Sequence, residues 1–520
     1  MTREQTAFTA LLALVVANLV LQPLTEPDFG WHLRAGLDLL SQGGRLPALD
    51  PYSHTMPDWP WVEHAWLTDL LIGLLYQAGG PLAAMLFFSA VTAAAWLMAV
   101  RSSEANAPVQ LSACALSLWA ALPFLGARTQ MVTLLGLALL MWGWHRVRAG
   151  EVRLVRWIPF LFLVWANLHG GFTAGLFYLA LVIALSWLVR LMAPDLAHRT
   201  GVVDPSTLWR LLLATGTGAI VTLVNPYGWN LHKEIFDSLS DSFMIQTLRE
   251  WHPVSLETLA GRLFVGYVAG LALAMMLWYR RVEPVQWGVL AVFLVLAGRH
   301  LRNIPLFLIV SVPLAADLLH EALRRFAALP FVNAVSSTRW PRAGTLALGL
   351  VLLYIGPDHI QHVWRFGVTP AAAFRQTSYP IEAVEWIREH RHQLGDRLLH
   401  DYQYGGFLLW WLPQEKIFID GRMPAWRIGD RWIFKDYVEV RETDPPRLSI
   451  LDKYGVDWAL LKRDTLLAQI LGALPGWRKA YEDTKVVIYM HDARRLDGAI
   501  YSRTAEEARG ESRRATGASE

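Results

Sequence analysis

One cysteine, Cys114, stands in the whole chain, and it sits inside an apolar run. That excludes an intrachain disulfide and any Cys-x-x-Cys chemistry, and leaves Cys114 as a small core residue. Charge is scarce too: charged residues are 18% of the 520, with a formal net charge of +3. The basic residues gather at the ends of apolar stretches rather than in one patch, so nucleic acid is not an expected partner. No internal repeat is visible, and no ionisable group sits in the middle of a stretch read as a span, both of which a repeat-built transporter would show. No small-residue cleavage site follows the opening Met1-Thr2-Arg3-Glu4-Gln5. The first apolar stretch therefore reads as a retained span with a cytoplasmic N-terminus.

What is abundant is apolar surface. Hydrophobic residues make up 54% of the chain and 25 residues are Trp, which predicts a polytopic α-helical membrane protein. About eleven stretches have the length to span: Ala7–Leu24, Pro81–Val100, Leu111–Leu125, Met131–Trp144, Leu154–Asn167, Phe172–Val189, Leu211–Val224, Leu263–Tyr279, Val285–Ala297, Ile304–Leu319 and Ala343–Ile355. A further stretch, Ala65–Tyr76, is short, contains Asp69 and ends at Gly79-Gly80-Pro81; an interfacial or re-entrant helix suits it better. With that stretch lying in the interface, Arg101, the Arg146 to Arg156 segment, Arg190 to Arg210, Arg280-Arg281 and Arg324 to Arg342 all become cytoplasmic, as the positive-inside rule favours.

The same topology gathers polar residues on the opposite side. Glu26, Asp28, Glu63-His64, Asn167-Leu168-His169-Gly170-Gly171, Asn225-Pro226-Tyr227-Gly228, Trp251-His252-Pro253 and Arg299-His300-Leu301-Arg302-Asn303 sit at extracytoplasmic span ends. Ionisable groups at a span mouth are expensive and mark a candidate site. Asp28 can act as a general base, and Glu26 with Asp28 can share a divalent cation, Mg or Mn; equally, Asp28 can simply cap the helix that starts at Phe29. Arg299, Arg302 and Asn303 suit an anionic ligand such as a phosphate, or a snorkelling interface pair. Trp31 and Trp59 to Trp61 read as interface-belt aromatics. His32, His54 and His64 lack the spacing of a zinc pair and suit structural roles.

Composition changes near Gly356-Pro357-Asp358, which divides the chain into a transmembrane domain, 1–356, with a first extracytoplasmic loop at 25–80, and a soluble domain, 357–503, followed by a disordered tail, 504–520. Strand-like runs at Arg397–His400, Lys416–Asp420, Trp458–Leu461 and Val486–Tyr489 alternate with helical ones from Tyr379-Pro380 to Ile387, at Phe407–Leu412 and at Leu466–Leu474. That pattern predicts a small α/β domain outside the membrane. Ile419-Asp420-Gly421-Arg422 reads as an ordinary turn.

Taken together, the first-loop acid, the many spans and the C-terminal α/β domain resemble the GT-C superfamily of integral-membrane glycosyltransferases. An uncharacterised bacterial branch is the closer match, through Asp28-Phe29-Gly30-Trp31-His32-Leu33-Arg34-Ala35-Gly36, Asp50-Pro51-Tyr52-Ser53-His54-Thr55, Trp61-Val62-Glu63-His64-Ala65-Trp66-Leu67, Trp165-Ala166-Asn167-Leu168-His169-Gly170-Gly171-Phe172, Asn225-Pro226-Tyr227-Gly228, Arg302-Asn303 and Ile419-Asp420-Gly421-Arg422. The resemblance implies transfer of a hexose or pentose from a polyprenyl-phosphate donor to a glycan, lipid or protein acceptor on the outer face of the bacterial inner membrane. Asp28 would be the base, Arg299 and Arg302 would hold the phosphate, and Glu63, His64, Asn167, His169 and Asn303 would line the substrate cavity. Glu26 stands where a DxD pattern has Asp. The alternative is a non-catalytic membrane protein that binds or transports a lipid-linked glycan.

Overall fold

This computed structural model describes residues 3–199, 202–278, 282–327 and 340–492; the expected tail, 504–520, and the Arg280-Arg281 pair lie outside them. The chain forms two compact units, one of residues up to 26 with 62–369, the other of 27–61 with 370 onward.

The first unit is helical. Each apolar stretch expected to span falls mainly within a helix, but among the described residues five helices, not about eleven, are both long and apolar enough to cross a membrane: Trp66–Val100, Ala107–Phe124, Phe172–Met192, Leu259–Leu277 and Leu301–Phe326. Several of the others are short or polar at one end. Ile158–Leu168 has 11 residues and Pro205–Val221 has 17, while Gln130–Arg148 carries His145, Arg146 and Arg148 in its last turn. The helix Trp66–Val100 is broken at Gly79 and Gly80, where φ is −152° and +63°. Gly80 occupies a conformation that side chains resist, and Pro81 then opens the second half as proline does at a helix start. The part before the break is about 20 Å long at 1.5 Å per residue, short of a ~30 Å hydrocarbon core. Two interior indoles are paired: Trp96 Nε1 donates to Ser117 Oγ at 3.0 Å, and Trp165 Nε1 to Thr133 Oγ1 at 3.2 Å.

The helix Trp340–Val368 runs on through Pro357, and the division between units falls at Thr369–Pro370 rather than near residue 357. The composition change at Gly356 therefore marks where apolar surface ends, not where the helix ends.

The second unit is built around a four-stranded mixed sheet in the order Leu398–His400, Trp458–Lys462, Val486–His491, Trp477–Glu482. The first pair is parallel, with Leu399 opposite Ala459, and the other two are antiparallel. The helices Ile381–His390, Gly405–Trp411 and Leu466–Ala473 appear near their expected places. The expected strand at Lys416–Asp420 does not join this sheet. It pairs instead with the first loop: Ile417 N donates to Tyr52 O at 3.0 Å and His54 N to Ile417 O at 3.1 Å, forming a parallel bridge between Ser53 and Ile417. Residues 27–61 are thus a structural part of this unit, whereas the sequence reading kept them with the spans.

Two histidines, His400 buried and His54 half-buried, lie where that pairing meets the sheet. His54 Nε2 lies 3.0 Å from Leu398 O, and His400 Nε2 accepts from Phe418 N at 3.2 Å. Burial lowers each ring to about 4, from an ordinary value of 6.5. Both rings are neutral when folded and would be protonated when unfolded below about pH 6.5, so their contribution is complete above that value and is lost as pH falls toward 4. The unit should lose up to ~1.4 kcal/mol per pH unit for each ring across this window. Thermal melts between pH 7 and pH 4 (about the range set by these values) measure it. His54→Gln keeps a donor for the Leu398 carbonyl and cannot titrate, so it should roughly halve the slope; an unchanged slope would remove His54 as a source.

Candidate functional site

In the second unit, the first-loop acid heads the helix Phe29–Ser41 without capping it. Asp28 occupies the N-cap position in a helical conformation, φ −84° and ψ −17°, and makes no side-chain cap bond. Its Oδ1 accepts instead from Trp31 Nε1 at 3.1 Å. Trp31 is 2% exposed and stacks on His32, ring centroids 3.5 Å apart. Trp61 is buried, and Trp59 stacks on Trp426 at 5.2 Å. These rings are packing elements of a folded unit, which overturns their reading as interface-belt aromatics.

What they pack against is Arg422. Its guanidinium carbon lies 5.2–5.7 Å from the ring centroids of Tyr52, Trp61, Trp426 and Trp31. Asp420 takes Nε and Nη2 at 2.7–3.0 Å, and Asp50 Oδ1 takes Nη1 at 2.9 Å. Asp50 is tied down in turn by Ser53 N and Oγ at 2.9 and 2.6 Å. Burial disfavours charge on Arg422, but its two carboxylates outweigh this and hold its pKa above the ordinary value. Burial also pushes the Asp420 carboxyl above its usual range, against the pull of Arg422. The Asp420-Gly421-Arg422 segment is a turn, closed by Met423 N to Asp420 O at 3.1 Å, but not an ordinary one, because its charges are buried. Nearby, Asp38 Oδ2 accepts from Arg34 Nε and Tyr52 OH, both at 2.9 Å.

In the first unit a second polar cluster forms where helices end. His169 Nδ1 faces Thr133 Oγ1 at 2.7 Å and accepts Gly171 N at 3.0 Å. The amide can only donate, so the neutral ring carries its proton on Nε2. The His64 ring meets the His169 ring edge-on, centroids 5.4 Å apart, with Glu63 Oε1 3.6 Å from His64 Nδ1. Glu63, His64 and His169 are thus brought together. Asn167 is used otherwise: Oδ1 accepts Trp66 Nε1 at 3.0 Å, and Nδ2 donates to Leu163 O and Val224 O, both at 2.9 Å. It braces three segments. Buried Glu63 and Asp69 each place a carboxylate oxygen within 4.8 Å of the other, a hard-oxygen pair of the kind that suits Mg or Mn. Glu26, expected as a metal ligand, has its carboxylate on the Arg128 guanidinium.

The expected anion site is also in this unit. Arg302 stacks over Trp251 at 4.3 Å and pairs with Glu250 at 3.2 Å while keeping 36% of its side chain exposed. Asn303 Nδ2 returns to Leu296 O at 3.2 Å, and Arg299 is exposed at the end of the helix Pro284–Arg299. Arg128, Thr133, Asp69, Asp50 and Arg422 were not among the residues expected from sequence; Asp50 and Arg422 lay inside motifs already quoted, and only burial distinguishes them from ordinary turn residues.

No protein-family model and no curated protein matches this sequence. Solved structures do. The archaeal oligosaccharyltransferase AglB from Archaeoglobus fulgidus, in complex with an inhibitory peptide and a dolichol-phosphate, is 12% identical with a TM-score of 0.51, over 94% of this chain and 74% of that one. ArnT from Cupriavidus metallidurans, in the apo state, is 16% identical with a TM-score of 0.40, over 94% and 98%. The arabinofuranosyltransferase AftD from Mycobacteria is 15% identical with a TM-score of 0.46, over 94% and 42%. The likeness to AglB is one of fold.

Removing the guanidinium tests how much the second unit depends on it. Arg422→Ala strands Asp50 and Asp420 as buried, uncompensated charges, and should destabilise the protein by about 3–5 kcal/mol. Arg422→Lys should recover little, since one ammonium cannot reproduce a fork divided between two carboxylates. Chemical denaturation followed by Trp fluorescence reads this out; a loss under 1 kcal/mol (about the value of an exposed pair) for Arg422→Ala would show that the network contributes little.

Proposed function

We propose that this protein is a membrane glycosyltransferase that moves a hexose or pentose from a polyprenyl-phosphate-linked donor to an acceptor, at the outer face of the bacterial inner membrane, with the soluble domain on that side. The observation that carries the reading is the Asp28 carboxylate: an acid at the head of the first-loop helix, in a GT-C fold, withheld from the cap it could form and oriented by an indole N–H instead. The acceptor hydroxyl or amine attacks the anomeric carbon and its proton passes to Asp28. The bond to the phosphate oxygen breaks, and polyprenyl phosphate leaves with the electron pair, so a single displacement inverts the anomeric centre. Arg302, backed by Trp251, and Arg299 meet the phosphate; Glu63, His64 and His169 offer hydrogen bonds to sugar and acceptor, and Asn167 and Asn303 hold the backbone that carries them. A cation already sits on Glu26 in the form of Arg128, which does not suit it as a metal ligand, and no step is routed through a metal.

Proteoliposomes supplied with radiolabelled polyprenyl-phosphate hexoses and pentoses, with membrane extract as acceptor source, test the activity. Asp28→Asn should lower transfer by roughly 10²- to 10⁴-fold with an unchanged melting temperature. Full transfer by folded Asp28→Asn removes the base, and binding of the labelled lipid without transfer by the parent favours the carrier instead.

The phosphate role of Arg302 is tested by polyprenyl phosphate binding. Arg302→Ala should weaken it by roughly 10- to 150-fold, the value of a charged hydrogen bond. Glu250→Gln removes the carboxylate that competes for the guanidinium and should tighten binding. A snorkelling arginine predicts no change in affinity for either variant.

A further inference from the structure

Gly421 lies between the two residues whose side chains form the buried ion pair, Asp420 and Arg422. A Cβ built at position 421 would stand 2.0 Å from Asp28 Oδ1, 2.8 Å from Asp28 Cγ and 3.1 Å from Asp28 Oδ2. The three nearest atoms are thus all in one carboxyl group. Gly421 is not among the glycines with positive φ, so the backbone there does not demand glycine; the carboxylate does. On its other flank Asp28 is held by Trp31 Nε1, and the Trp31 ring is itself packed by Arg422. One guanidinium therefore fixes both the turn that leaves room for the carboxylate and the ring that donates to it.

We infer that the Asp420-Gly421-Arg422 turn is a positioning device for the catalytic carboxylate of Asp28, with Gly421 and Trp31 as its positioning residues. This rests on the assignment of Asp28 as the base. The turn acts by leaving Asp28 a place away from the cap. Aspartates at helix starts elsewhere in the chain do cap: Asp204 Oδ1 accepts Thr207 N at 3.1 Å, and Asp241 Oδ1 accepts Met244 N at 2.7 Å. Asp28 has the same local option. A methyl group at 421 collides with the mobile end of a side chain and with no backbone atom among its three closest contacts. The carboxylate has to swing away, and the first turn of the helix offers it the cap position that Asp204 and Asp241 use. The substitution then misplaces the base while leaving the helix as stable as before, or more so.

Gly421→Ala and Trp31→Phe, each alone and each combined with Asp28→Asn, test this in the proteoliposome transfer assay with the labelled polyprenyl-phosphate sugar the parent accepts. Each single variant should lower kcat by roughly 10- to 100-fold, as an ångström-scale misplacement does, with the donor KM unchanged; the melting temperature should be unchanged or raised for Gly421→Ala and lowered for Trp31→Phe, which leaves a cavity at a buried site. In the Asp28→Asn background neither should lower the rate further. Parental kcat in both single variants, a loss carried in KM, or losses that multiply with Asp28→Asn would overturn the inference. Should Gly421→Ala fail to fold, Trp31→Phe decides, because it keeps an aromatic ring at the position and removes the N–H donor, and its comparison with the Asp28→Asn background separates the lost donor from lost packing. An inactive Asp28→Asn beside fully active Gly421→Ala and Trp31→Phe defeats the positioning role alone; an active Asp28→Asn defeats the base assignment and with it this inference.

Discussion

A guanidinium with 4% of its side chain exposed must be neutralised where it stands, and the partners of Arg422 come from opposite ends of the sequence. Asp420 is its neighbour in the chain; Asp50 is 372 residues away. Leaving either carboxylate alone in that interior costs several kcal/mol, so the first loop and the C-terminal segment have to fold as one body. The backbone pairing of residues 52–54 with 417 runs alongside this ion pair, and Thr55 Oγ1 to Phe418 O at 2.6 Å extends it. The rings around the guanidinium fill space that water would otherwise take, which strengthens the pairing and raises the penalty for breaking it. What looks in sequence like a loop between spans is the other half of a domain.

The first unit solves a different problem with the same residue types. Its helices end in polar loops, and each loop's amides and carbonyls need partners at the point where the apolar surface stops. Thr133 serves Trp165 and His169 at once, and Thr68 Oγ1 closes on Leu168 O at 2.6 Å. Asn167 has both amide hydrogens and its oxygen on protein groups. Such a residue positions the loop and has nothing left to offer a ligand, whereas the exposed part of Arg302 does. Conspicuous polar motifs thus separate into bracing and presenting members only when every donor and acceptor is accounted for.

Much of this was legible in the sequence, for reasons that also mark where legibility stops. Apolar runs located the helices because a 3.6-residue repeat needs no tertiary context, and buried strands such as Trp458–Lys462 announced themselves as continuous apolar segments. The edge strand Trp477–Glu482 did not: its sequence, Trp-Arg-Lys-Ala-Tyr-Glu, is largely exposed and has no apolar run to detect. Among the described residues fewer helices have the length and hydropathy to cross than the apolar runs suggested, because such a run does not reveal a helix as short as Ile158–Leu168. Trp31 and Trp61 were misread because aromatic residues near a span have one common explanation, and the guanidinium that explains them is remote in sequence. The same distance hid the role of Asp50.

The position of Asp28 is the case in which stability and function can be told apart. A capping aspartate contributes about 0.5–2 kcal/mol, and a hydrogen bond to a charged acceptor such as the one from Trp31 returns about 1.5–3 kcal/mol. The two ranges overlap, and stability alone does not decide between them. What decides is the surrounding packing, in which an unsubstituted Cα at 421 leaves a place for the carboxylate and an indole held by Arg422 supplies its donor. A structural aspartate would gain nothing from so specific a surrounding, because its helix accepts the simpler cap. A base gains a fixed orientation, and with it the reacting geometry that general-base catalysis requires. That asymmetry, rather than the likeness of fold, is what argues for chemistry at this residue.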